Sequence, residues 1–289
     1  MNEQSRVVDI FPKSNRITII PAELHQSLSR ADGFHRPTYS HLLRRLLTEP
    51  DTYAILPGDV SNSGRPTMRD RQAIAYAERD RASAKLEADE NVRAGLEKGI
   101  IRDLEPVKHK ILGALDGDHF EIFANGWTST RHIFESLKIP DAYLGERVGY
   151  INLRLHRPNN RSHNDTLMFS ILVRHGKGSC ATIGSDINKL MAQSMPGGFL
   201  ADLYIGGHTH KHWVYSEPFA YTDRTGRVRW KPIGWARAGN TLLAYGKGRP
   251  TYPEIAELRP LPVGYPDVYL NLGWGPCRNL VVESIKGLH

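Results

Sequence analysis

The sequence predicts an α/β fold. Two observations carry this. Short runs rich in β-branched and apolar residues alternate with stretches of helical period. No linker, internal repeat or low-complexity segment divides the 289 residues. One domain over 1–289 is therefore expected, with its motifs in 17–210 and C-terminal strands and covering loops in 211–289. Hydrophobic residues make up 40% and charged residues 24%, enough for an ordinary core.

The first strand is "RITIIPAE", 16–23, and a helix follows over "TYSHLLRRLLTE", with Ser40 or Thr38 as its N-cap. "TYAILPGD", 52–59, is the second strand. Residues 66–108 are mostly charged, yet Val92, Leu96, Ile100 and Leu104 recur at helical spacing. One or two amphipathic helices are expected there, ended near Pro106. "KILGALDGDH", 110–119, is the third strand. "VGYINLRLH" and "TLMFSILVRHG" flank a polar turn and form a hairpin over 148–176. "SDINKLMAQSM" is a helix opened by Ser185 and closed by Pro196, and "ADLYIGGHTH", 201–210, is a further strand. The remainder, rich in Gly, Pro, Trp and Tyr, reads as short strands and loops, among them "WVYSEPFAY", "RVRWKPIGWAR" and "TLLAYGKG".

Several classes are excluded or favoured by composition. No apolar run approaches the roughly 18 residues that span a bilayer, so no membrane partner is expected. The N-terminal stretch lacks the apolar segment of a secretory signal, and two cysteines, Cys180 and Cys277, make no disulfide framework. The expectation is a reduced, cytoplasmic protein. The net charge of +7 and pI near 9.4 favour an anionic partner without identifying it. Trp213, Trp230 and Trp235 either stack on bases or pack inside the fold. His156 and His163, beside Arg157 and Arg161, either touch phosphate or sit on a solvated hairpin tip.

The polar residues at strand ends carry the chemistry. The first strand ends in Glu23 and His25, and the second in Asp59 with Asn62 close behind. The third ends in Asp118 and His119, the hairpin in His175, and the last in His208 and His210. Strand ends in α/β sheets are where ligands collect. Glycine beside Asp59, Asp118, His175 and His208 permits sharp turns and close approach. Mixed imidazole and carboxylate donors suit Mn, Zn, Fe or Ni. The donors exceed what one ion needs, and two ions about 3.5–4 Å apart would use them. In "GHTH", Gly206 and Gly207 would turn the chain so that His208 and His210 reach different ions, with His212 left outside.

In order, "ELH", "GDVSN", "GDHFE", "RHG" and "GHTH" resemble the signature of calcineurin-like metallophosphoesterases. That signature runs D-x-H, GD-x-x-D/N, GNH-D/E, a lone His, and GH-x-H. The stretch "GNTLLAYGKGRPTYPEIAELRPLPVGYPDVYLN" looks, more loosely, like the tail of bacteriophage-type members. The resemblance implies a four-layer αββα sandwich of two packed mixed sheets flanked by helices. It implies that Glu23, His25, Asp59 and His210 hold a first metal, and that Asp59 bridges. Asp118, His175 and His208 complete the second, and His119 protonates the leaving oxygen. Two departures stand out. Glu23 replaces the family's Asp, and Asp118 replaces its Asn. The added charge of Asp118 should hold the metals more tightly and weaken their pull on a bridging water. Glu121 lies one residue beyond the family's acid, and with Asn62 it is a candidate for supporting or substrate contacts.

The function expected is a metal-dependent phosphoesterase, first a phosphodiesterase or nuclease acting through two divalent ions, Mn foremost, and a bridging hydroxide. A phosphomonoesterase or nucleotide phosphatase is one alternative. A catalytically impaired nucleic-acid-binding or structural protein on the same scaffold is another, and a site holding one ion is a third. The partners implied are a phosphate-ester substrate, nucleic acid or nucleotide included, and a second copy in a homodimer. The cytoplasm of a bacterium or of a phage-infected host is the setting implied. The C-terminal third is open to use as a lid, a dimer surface or a substrate platform.

Overall fold

Two β-sheets stack face to face, with helices on both outer surfaces. The computed structural model describes residues 5–26, 34–61, 94–120, 122–123, 125–157, 166–178, 180, 182–194, 201–222, 225–243, 262–272 and 280–285. One sheet contains β1 (Ser5–Ile10), β5 (Val148–His156), β6 (Thr166–Arg174), β7 (Leu203–Gly206), β9 (Val228–Arg237) and β8 (Trp213–Thr222), in that spatial order. The other runs β12 (Leu280–Ile285), β11 (Asp267–Leu272), β2 (Arg16–Glu23), β3 (Thr52–Leu56) and β4 (Ile111–Ala114). The two-residue β10 (Gly239–Asn240) lies beside the end of β2. The helices are α1 (Arg36–Thr48), α2 (94–104), α3 (Ser129–Ser136) and α4 (Ile183–Ser194).

Alternation along the strands builds the layers. On β2, Ile17 and Ile19 turn to the space between the sheets, and Ile20 and Ala22 turn to the helices. Between the sheets, Ile17 and Ile19 meet Ile151 and Leu153 of β5, Ile171 of β6 and Leu203 of β7. On one outer surface, Leu42 and Leu46 of α1, Leu96, Ile100 and Leu104 of α2, and Ile133 and Phe134 of α3 cover β2, β3 and β4. On the other, Leu190 of α4 packs with Tyr204, Trp213 and Trp235. The order is helix, sheet, sheet, helix. Burying each such side chain fully is worth roughly 1.5–3 kcal/mol, so both faces of each sheet favour the stack.

The direction of the strands positions the site. β2, β3 and β4 are parallel, so their C-terminal ends share one edge. β6 and β7 are parallel in the facing sheet and do the same. Backbone bonding continues past the strand ends. The His25 N–H donates to the Asp59 carbonyl at 2.8 Å, and the Asp59 N–H donates to Asp116 at 3.1 Å.

Several expectations need correction. β1 went unpredicted, because "SRVVDI" has no clean alternation and its strand is a half-exposed edge; it pairs in parallel with β5. α1 starts at Arg36 with His35 at the N-cap and Pro37 in its first turn, not at Thr38 or Ser40. Proline is favoured there because its missing N–H needs no partner. α4 opens at Thr182 rather than Ser185: the Ser185 N–H donates to Thr182 Oγ1, and the Thr182 N–H to Ser185 Oγ. That is reciprocal capping. β8 and β9 are ten residues each, not short strands. "TLLAYGKG" contributes only an isolated bridge at Leu242 within its described part. The C-terminal strands pair antiparallel, β8 with β9 in one sheet and β11 with β12 and β2 in the other. Val92, His163, Pro196 and Cys277 lie outside the described residues. Among the described residues, no helix is long and apolar enough to cross a membrane.

Candidate metal centre

The strand ends converge. Glu23, His25, Asp59 and His210 form one group whose ligand atoms all lie within 4.8 Å of one another, and Asp118, His175 and His208 form a second. Glu23 and His25 follow β2, Asp59 follows β3, Asp118 follows β4, His175 follows β6, and both His208 and His210 follow β7. Either group has the donor number and type to hold a divalent ion.

Asp59 stands between the groups. Its Oδ1 accepts the backbone N–H of Asp118 at 2.6 Å and of His119 at 3.1 Å. Its Oδ2 lies 3.7 Å from His25 Nε2 in one group and 3.5 Å from His175 Nε2 in the other. One oxygen is anchored, and the other faces both groups.

The two sheets meet through Glu23 and His175. Glu23 Oε1 accepts the His208 backbone N–H at 2.7 Å and lies 3.2 Å from His175 Nδ1. His175 Nδ1 donates to the Pro57 carbonyl at 3.0 Å. A carbonyl can only accept, so Nδ1 carries the proton and Nε2 points at Asp59 and Asp118.

The backbone is strained here. Among the described residues, His25, Asp59, Lys138, His208 and His210 are the non-glycine residues of positive φ, at 42°, 48°, 59°, 74° and 56°. Four of the five are candidate ligands. Such conformations cost about 1–3 kcal/mol each and persist only where surroundings impose them. The turn after β7 is thus made by the histidines themselves, not by Gly206 and Gly207, which have no positive φ. Gly207 serves close approach instead, since a Cβ there would overlap the Glu23 carboxylate. Gly58, at φ +134°, serves both ends, since a Cβ would overlap the His175 ring.

Burial and charge set the protonation. Burial pushes His25 well below its ordinary range, helped by neighbouring His210, although Asp59 opposes it. Burial likewise lowers His210. His175 behaves oppositely: burial pulls it down, but Asp59, Asp118 and Glu23 outweigh this and hold it up at about 11. Burial pushes Asp59 up, yet the surrounding imidazoles hold it well below the carboxylate range. Asp118 is also held well below, by His175, His208 and Arg147 against burial.

The fit to a metal is testable on these atoms. Glu23 Oε2 and both His25 ring nitrogens are buried with no hydrogen-bond partner. His25 Nε2 is 3.9 Å from Glu23 Oε2, too far for a hydrogen bond. Two ligands each about 2.0–2.2 Å from one ion are separated by a distance of this order. A neutral imidazole and a carboxylate buried without partners are costly unless a cation joins them. The residues fit a divalent ion.

His119 lies beside the first group, its ring 5.5 Å from that of His25. His212 enters neither group. Asn62 and Glu121 lie outside the described residues. Trp213 and Trp235 are core residues, whereas Trp230 is 66% exposed. His156 stacks on Phe11 and pairs with Asp9 rather than facing the centre.

Sequence reasoning missed the residues beneath and beside the ligands. Arg237 is buried, donates to the Gly207 carbonyl at 2.8 Å and pairs with buried Asp186 at 3.1 Å. Asp186 also accepts Thr209 Oγ1 at 3.2 Å and Trp213 Nε1 at 2.9 Å. Asn240 Nδ2 donates to the His210 carbonyl at 2.9 Å. These contacts hold the histidine turn from below. Arg147 reaches Asp118 from the rim, at 2.5 Å. Arg147, Asp186 and Arg237 sit in none of the five motifs, so only their charge beside apolar runs could have drawn notice.

No family model and no curated protein matches the chain. Among solved structures it is similar to a conserved uncharacterized protein of Streptococcus pneumoniae TIGR4, described as a predicted phosphoesterase. The identity is 12%, the match covers 93% of this chain and 97% of that one, and the TM-score is 0.33. A superposition that loose adds nothing to what this chain's own strand order and side chains show.

Proposed function

We propose that the chain is a metal-dependent phosphoesterase with two ions, and that a phosphodiester is its preferred substrate. One observation carries the reading: seven donors from five strand ends meet in two adjoining groups, with Asp59 Oδ2 between them. Glu23, His25, Asp59 and His210 would hold one ion; Asp118, His175, His208 and Asp59 would hold the other. When bound, such a pair supplies Lewis acidity, lowering the pKa of a water and offsetting charge on phosphoryl oxygens.

The chain's own residues do the rest. Asp59 is held ionised by the imidazoles around it. The Pro57 carbonyl and Glu23 fix the His175 ring. Asp118 and His208 are about one-quarter exposed, so this side of the centre opens to a substrate. His119 delivers a proton to the departing ester oxygen as an oxygen–phosphorus bond forms to water and the ester P–O bond breaks. The net positive charge favours a polyanionic diester over a small monoester.

The experiment is hydrolysis of an aryl phosphodiester by metal-stripped protein, with Mn restored stepwise. Turnover that appears with Mn and vanishes with a chelator supports the reading. No turnover with Mn, Zn, Fe or Ni would sink it and favour a binding protein.

A further inference from the structure

Three carboxylates face the ligand groups, and they differ in what sits on them. Glu23 and Asp59 are buried and contact imidazoles and backbone N–H groups. Asp118 is one-quarter exposed and carries a guanidinium, with Arg147 Nη2 2.5 Å from its Oδ1. Its other oxygen, Oδ2, lies 2.7 Å from His208 Nδ1 and 3.1 Å from His175 Nε2. The carboxylate is divided, with one oxygen outward to Arg147 and one inward to the ligand group. Arg147 is tied to the centre by its backbone as well, since its carbonyl accepts the His175 N–H at 3.0 Å.

We propose that Arg147 is a charge-compensating positioning residue of the metal centre. It turns a single Asp118 oxygen inward and offsets the charge that the third carboxylate would otherwise add. The inference rests on the metal reading above but concerns a residue outside the ligand set. An oxygen of a guanidinium-capped carboxylate carries less effective charge than a free one. The expected tightening of metal binding and loss of pull on water from Asp118 would therefore be largely cancelled.

The sign of one coupling tests this. Asp118→Asn leaves the guanidinium facing a neutral amide, close to a divalent cation, and like charges repel. Removing Arg147 as well removes that repulsion, so the second substitution should repair the first. Calorimetric Mn titration of wild type, D118N, D118N/R147Q and D118N/R147K reads this without any assay of turnover. Melting of each metal-free form checks that it folds. D118N should weaken the weaker Mn site, and R147Q in the D118N background should recover about tenfold in affinity. R147K, which retains the cation, should recover nothing. If D118N and D118N/R147Q bind Mn alike, Arg147 is a surface residue and the inference is overturned. If the wild type takes up no metal, the metal reading fails, and this inference fails with it by a different result.

Discussion

His175 Nε2 lies 3.5 Å from Asp59 Oδ2, although the two residues are 116 positions apart and belong to opposite sheets. Both are buried. Acceptors face both ring nitrogens of His175: the Pro57 carbonyl and Glu23 at Nδ1, and Asp59 and Asp118 at Nε2. In the metal-free chain this makes His175 an imidazolium, and an entering ion must take the place of its Nε2 proton.

Metal uptake should therefore release about one proton per chain from His175 near neutral pH. Calorimetric titration with Mn in two buffers of different ionisation enthalpy would count it. A slope near zero would show that His175 is already neutral.

The same shift has a signed effect on the metal-free protein. His175 is raised to about 11, so its contribution to stability is full below its ordinary value near 6.5. It is lost as pH climbs toward 11. Asp59 and Asp118 are lowered, so theirs is full above about 4 and lost as pH falls below it. Denaturant midpoints across pH should decline on the alkaline side in the wild type and stay flatter in His175→Gln.

His119→Ala should cut turnover about 10²–10⁴-fold while Mn stoichiometry and melting stay near wild type. Its backbone N–H, which anchors Asp59, survives the change. Loss of metal in this variant would show that the side chain is a ligand rather than a proton donor.

Gly58→Ala should strike both fold and centre. It places a Cβ against the His175 ring at a φ of +134°. A cost of about 1–3 kcal/mol is expected, with the second Mn site weakened. Denaturant unfolding with and without Mn would separate the two losses.

Asp186→Ala should leave the buried Arg237 without its counter-charge. Breaking such a pair costs about 3–5 kcal/mol, read as a lowered denaturant midpoint. Weaker Mn binding should accompany it, because Arg237 and Thr209 both brace the turn carrying His208 and His210.

The α/β class, the strand of 16–23, the hairpin expected over 148–176 and found as Val148–His156 with Thr166–Arg174, and the helix around Leu96, Ile100 and Leu104 were legible because each is written in neighbouring residues. A period of two or of 3.6 is a local property. The candidate ligands are local features of the same kind, since each is a polar residue at or just past the end of an apolar run, with a glycine beside Asp59, Asp118, His175 and His208. β1 was not legible, because a half-exposed edge strand needs no alternation of its own; its pairing with β5 supplies the order.

The sequence by itself thus determined the layered α/β class and which side chains stand at the strand ends. The tertiary structure alone decided how they meet. Arg147 reaches Asp118 across 29 positions, and Arg237 reaches Asp186 across 51. No local pattern marks either arginine for its acid. Such pairs arise only when folding brings separate elements together. α4, which carries Asp186, packs on the sheet that β9 and Arg237 belong to, whereas Arg147 precedes β5 and Asp118 follows β4 of the facing sheet. Reduced solvent access strengthens each attraction.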